Sequence, residues 1–145
     1  MLQVLRFNPY VMIIDAHTHV TKFEKPEFQE GFEKNRDLLL AEMKASKVSR
    51  ALVIAGYLDN DTANPYGWRN PDTERMIDLV SGIGNLAVIG SADPLKLTPD
   101  KLARLESQID RRQILGIKIY LGYQAHFAND PSCAPIFELC QKSGV

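Results

Sequence analysis

Ile13-Ile14-Asp15-Ala16-His17-Thr18-His19 is the stretch on which the reading of this chain turns. A short apolar run ends in two histidines one residue apart. Side chains of a strand alternate between faces, so residues i and i+2 lie on one face about 7 Å apart. His17 and His19 can therefore bring their ring nitrogens to a single ion, and zinc takes imidazole at about 2.0–2.1 Å. Alternation places Asp15 on that face as well, one step further back. Only three histidines occur in the chain, which makes an accidental pair behind an apolar strand a poor account of the motif. Two exposed histidines at a strand–loop junction is the structural alternative.

Outward from this motif, apolar runs and helical periodicities alternate. Residues 11–15 read as a first strand, followed by a polar loop from 18 to about 35. Residues 36–47 read as a helix, with Leu39, Leu40 and Met43 at helical spacing. Residues 50–55 (Arg-Ala-Leu-Val-Ile-Ala) form a continuous apolar run, as in a parallel strand covered on both faces. A loop over 56–70 leads to a helix over 71–80, with Asn70 as cap and Pro71 in the first turn. A third strand is expected over 86–92. A third helix opens at Thr98-Pro99, with Thr98 as cap, and runs to about Arg111. A fourth strand spans 114–121, and a last helix 131–142 stops at Gly144.

Four βα units imply a parallel sheet with right-handed crossovers. The fold class is α/β: the N-terminal half, about four units, of a TIM-type (β/α)8 barrel. A complete barrel has eight units in about 250 residues and builds its site at the C-terminal strand ends, where His17 and His19 lie. The chain has 145 residues. Residues 1–11 read as a lead-in and 12–145 as a partial barrel domain truncated before the fifth strand. Met12 is the expected true start; the alternative is a short strand plugging the barrel bottom.

Ile14-Asp15-Ala16-His17-Thr18-His19, with Gly116-Ile117-Lys118-Ile119-Tyr120 on the fourth strand, resembles the amidohydrolase superfamily. The nearest likeness is to its amidohydrolase-related (amidohydrolase 2) branch of metal-dependent hydrolases and decarboxylases. The resemblance runs from Met12 to Val145 and covers the N-terminal half of that family's barrel. It implies that His17 and His19 bind a divalent metal, with zinc expected. It also implies that the remaining ligands and the general base come from later strands, so the catalytic base is expected outside this chain. The implied activity of the full-length enzyme is attack of a metal-activated water on an amide, lactone or ester, or a metal-assisted decarboxylation.

Lys118 lies between two isoleucines, where an unpaired ammonium is costly. A carboxylated lysine bridging two metals and a cation facing an acidic substrate are the functional readings. A lysine paired with a carboxylate, or reaching solvent, is the structural one. The loop over 56–70 carries Tyr57, Trp68 and Arg69 beyond a strand's C-terminal end, where a site would take substrate contacts. Trp68 and Arg69 join Lys118 and His126 as substrate-binding candidates, although Trp68 packed against a helix reads equally well. His126 follows the fourth strand and matches no family motif.

A net charge of −1 offers no field for nucleic acid or an anionic membrane, and no apolar run reaches membrane-span length. A small-molecule substrate, with a carboxylate among the candidates, and a homo-oligomer are the partners considered. Cys133 and Cys140 stand about 10 Å apart along one helix, too far for a disulfide, so the cytoplasm is the expected compartment. Two further readings stand beside the amidohydrolase one. One is a non-catalytic half-barrel assembly or metal-binding module. The other is a phosphoesterase or TatD-like nuclease, which also opens on a His-x-His strand.

Overall fold

The computed structural model describes residues 12–20, 31–56, 70–121 and 127–145. Among these residues four strands and four α-helices alternate: β1 Ile14–Thr18, α1 Phe32–Ala45, β2 Arg50–Ile54, α2 Thr73–Val80, β3 Leu86–Ser91, α3 Pro99–Asp110, β4 Ile117–Lys118 and α4 Ala134–Ser143. The sheet order is β1-β2-β3-β4 and each neighbouring pair is parallel. A sequential order with no reversal is compatible with half of a barrel-like unit, whereas a doubly wound sheet changes direction at a switch point.

The register separates the two faces of the sheet. Ala51 pairs with Leu86 and Val53 with Val88. These four are buried in one core with Met76, Leu79, Leu105, Ile109, Ile136 and Leu139 from the helices. Leu52 and Ile54 pair with Ala87 and Ile89 on the opposite face, and Ser91 pairs there with Lys118. The continuous apolar run of β2 thus serves both faces, as expected of an interior parallel strand.

Several boundaries differ from the sequence expectation, each for a local reason. β1 lies three residues later than expected, because Thr18 is tied to β2 by its Oγ1–H donating to the Leu52 carbonyl at 2.8 Å. α1 starts a turn earlier, where the Gly31 carbonyl accepts from the Lys34 and Asn35 N–H groups and Phe32 packs on the core. α2 starts at Thr73, not Pro71: the Pro71 carbonyl accepts the Gly56 N–H at 2.7 Å, so the chain stays extended to Asp72. Asp72, not Asn70, caps the helix through the Arg75 N–H at 2.8 Å. β4 is short, and Ile114 at its expected start is buried in the helical core instead. Residues 131–133 form a 3-10 turn before α4. Thr98 caps α3 and Gly144 ends α4 in the left-handed region (φ 71°), both as expected.

On the outer surface, an ion pair between described residues bridges each pair of successive helices. Glu33 of α1 meets Arg75 of α2, Glu74 of α2 meets Arg104 of α3, and Glu106 of α3 meets Lys142 of α4. Among the described residues no helix is long and apolar enough to cross a membrane. The lead-in at 1–11, with the question of its start, lies outside the described residues.

Candidate functional site

The C-terminal ends of the four parallel strands bring together the two chemical motifs singled out in the sequence. His17 sits in the last part of β1 and His19 just beyond it. Their Nε2 atoms are 3.2 Å apart, with ring centroids separated by 5.2 Å and planes inclined at 62°. Two imidazole nitrogens bound to one tetrahedral zinc stand about 3.3 Å apart, from bonds of about 2.0–2.1 Å. The pair therefore fits a shared ion. It also fits a direct hydrogen bond in which one ring donates N–H to the other, the direction being set by the tautomers.

β1 carries an irregularity at this point. Asp15 registers with Ala51 but Thr18 with Val53, so three steps on β1 match two on β2. The extra residue is a bulge, a device that re-aims side chains at strand ends. It interrupts the strict alternation that would set Asp15 on the histidines' face. Asp15 instead shares its register position with Ala51, and its carboxylate accepts the His17 N–H at 3.0 Å. Among the described residues no group of three His, Cys, Asp or Glu side chains is arranged to hold a metal.

His19 is half-buried, and that burial is the main reason its pKa falls below 6.5. The nearby His17 pushes it further down and Lys118 adds a smaller push, while a hydrogen bond with the Ile54 backbone opposes them. A lowered pKa keeps the imidazole neutral at pH 7, the form that donates a lone pair to a metal.

Lys118 ends β4 opposite Ser91, on the face away from the helices. Its ammonium lies over the Tyr120 ring, 5.4 Å from the centroid. Tyr120 in turn donates its Oη–H to the Ala55 carbonyl at 2.9 Å, reaching from the end of β4 past β3 to the end of β2. Below it, fully buried Ser91 donates its Oγ–H to the Gly56 carbonyl, and its own N–H donates to Thr73 Oγ1 at 3.1 Å. These bonds clamp the ends of β2, β3 and β4 into one rim.

The structure thus places His17, His19 and Lys118 at the same, C-terminal end of the sheet. Trp68, Arg69 and His126, with Tyr57, lie outside the described residues. Tyr120 is the residue that sequence reasoning passed over except as part of a motif; its only signal was the i, i+2 spacing from Lys118. Cys133 and Cys140 are free thiols on and beside α4, away from this rim. Comparison with protein-family profiles, with curated proteins and with solved structures gives no match to this chain.

Proposed function

We propose that these βα units are the first half of a TIM-type barrel in a metal-dependent hydrolase of the amidohydrolase kind, with His17 and His19 as two of its metal ligands. The observation that carries this reading is the 3.2 Å approach of the two Nε2 atoms at the C-terminal end of the first parallel strand. Paired ligands at that end of a sequential parallel sheet stand where barrel enzymes gather their reacting groups. A divalent ion held there supplies Lewis acidity to a substrate carbonyl or acidifies a water near neutral pH.

The chain's own residues contribute position and protonation state. The bulge at Ala16–His17 and the Thr18–Leu52 bond fix the two rings at the strand end. Half-burial keeps His19 neutral and ready to ligate. The general base and further ligands belong to residues beyond those described. Hydrolysis of an amide, lactone or ester is the leading reaction class, with decarboxylation as the alternative that the same metal site supports.

Cobalt(II) and zinc titrations of the chain test the reading. The expected result is one equivalent of cobalt bound with an absorption spectrum that changes on imidazole ligation, lost in both His17→Ala and His19→Ala. Metal-loaded chain assayed on lactone, ester and amide substrates extends the test to turnover. Equal metal binding by wild type and both variants refutes the ligand assignment and leaves the 3.2 Å contact as a histidine–histidine hydrogen bond.

A further inference from the structure

We propose that Lys118 and Tyr120 form an anion-binding subsite beside the histidine pair, and that it receives the carboxylate of a small-molecule substrate. The inference deepens the functional reading above and rests on it for the identity of the neighbouring reaction centre.

The strand register supplies the first argument. Lys118 occupies the face opposite the helical core, the face that Ile54, Ile89 and Ser91 share. Its side chain stands at the C-terminal end of β4, the end of the sheet that also carries His17 and His19. The second argument is the lack of a counter-charge. Lys118 is half-buried between Ile117 and Ile119, yet among the described residues no carboxylate forms an ion pair with it. A partly desolvated ammonium without an anionic partner loses hydration and regains little from its surroundings. The Tyr120 ring face replaces part of that loss through a cation–π contact but leaves the N–H donors of the ammonium to other partners.

The third argument is rigidity. Tyr120 is held at both ends, by the backbone after β4 and by its bond to the Ala55 carbonyl. A ring fixed in this way limits where the flexible lysine stem can put its charge, and a prepositioned cation loses less entropy when an anion arrives. Tyr120 therefore acts as a positioning residue and Lys118 as the group that touches the substrate. A carboxylate seated on Lys118 places the rest of a small molecule beside His17 and His19.

Sodium benzoate and its neutral isostere benzamide, titrated into the 15N-labelled chain at fixed ionic strength, test the proposal. Benzoate is expected to shift the backbone amides of Lys118, Tyr120 and His19 saturably, and benzamide is not. Lys118→Met should weaken benzoate about tenfold or more, while Lys118→Arg retains binding within about threefold. Tyr120→Phe keeps the ring but removes the tether, and should weaken benzoate by about threefold. Spectral dispersion of each variant reports that it is folded, and Lys118→Arg supplies the retained charge if Lys118→Met does not fold. Equal response to benzoate and benzamide, or unchanged benzoate affinity in Lys118→Met, overturns the subsite. Inorganic phosphate displacing benzoate with at least tenfold higher affinity overturns the carboxylate assignment in favour of a phosphate ester. Zinc titration in parallel separates the two proposals. Zinc bound equally by wild type and Lys118→Met, with benzoate lost only in the variant, supports both. Benzoate binding without any zinc binding supports the anion subsite and refutes the metal reading.

Discussion

Replacing Gly56 by alanine puts a new carbon 2.9 Å from Cβ of Asn70 and 3.0 Å from its carbonyl oxygen. Ordinary contact begins near 3.4 Å, so one of the two segments has to retreat by several tenths of an ångström. The obstacle is partly backbone, and rotamer changes cannot clear it. The neighbouring Pro71 carbonyl accepts the Gly56 N–H at 2.7 Å, and the Gly56 carbonyl accepts from Ser91 Oγ–H, so the retreat strains both bonds. Overpacking of this kind costs about 1–3 kcal/mol. One weakened hydrogen bond adds about 0.5–1.5 kcal/mol. The narrower unfolded ensemble of alanine offsets about 0.4–1 kcal/mol. The net expectation is a loss of about 2 kcal/mol. With a urea slope of about 2 kcal/mol/M for a chain of this size, the unfolding midpoint should fall by about 1 M. Gly84→Ala is the matched control: an added Cβ there meets nothing within 4 Å, and its stability should stay within about 0.5 kcal/mol of wild type. A Gly56→Ala midpoint indistinguishable from that of Gly84→Ala would refute the close-approach argument.

Three further predictions concern the surface, the thiols and a helix end. The Glu33 carboxyl titrates below its usual 4.5, chiefly because its own backbone N–H donates to it; desolvation opposes this, and the Arg75 and Arg36 charges add further lowering. The unfolded chain then binds the proton at higher pH than the folded one. The stability this group contributes is thus present above about pH 4.5 and lost as pH falls through the folded value. Urea midpoints measured from pH 6 to pH 3 should decline less steeply for Glu33→Gln; parallel declines would contradict the assignment. Burial raises the Cys140 thiol above its ordinary 9.0, and Cys133 is fully buried with its thiol facing the Phe127 carbonyl at 3.7 Å. Ellman's reagent at pH 8 should therefore label both more slowly than it labels the urea-unfolded chain, and equal rates would show that the α4 packing is absent. Asp72→Ala removes the side-chain acceptor for the Arg75 N–H and a negative charge at the start of α2. It should cost about 1 kcal/mol by urea denaturation, with Asp72→Ser recovering most of it; a cost near zero would mean that the cap carries no weight.

Strand order and the interior strand were legible because their signals are local. Arg50–Ile54 announces itself as a buried parallel strand by an unbroken apolar run. Thr98 before Pro99 and Gly144 after α4 are end signals that act through their own backbone neighbourhoods. The misplaced boundaries have the opposite character. The start of α2 depends on a hydrogen bond from Gly56, fifteen residues earlier in the chain, and the end of β1 on a bond from Thr18 to Leu52. Neither partner is visible in a sequence window around the boundary. The bulge in β1 is of the same kind, since it exists only as a mismatch between two strands. His17, His19 and Lys118 stood out by residue type in apolar surroundings. Tyr120 did not, because its role comes from a bond to a carbonyl 65 residues away.

The ion pairs between successive helices also have a direction. In each, the carboxylate belongs to the earlier helix and the cation to the later one: Glu33 to Arg75, Glu74 to Arg104, Glu106 to Lys142. Exposed pairs of this sort add little stability, because water and salt screen them. Their value lies in direction, because a helix docked the wrong way round would set like charges against each other. The belt marks the direction in which the βα units are wound, though not which unit follows which. A unit joining beyond α4 would be accepted most readily if it brought a cation, and one joining before α1 if it brought a carboxylate.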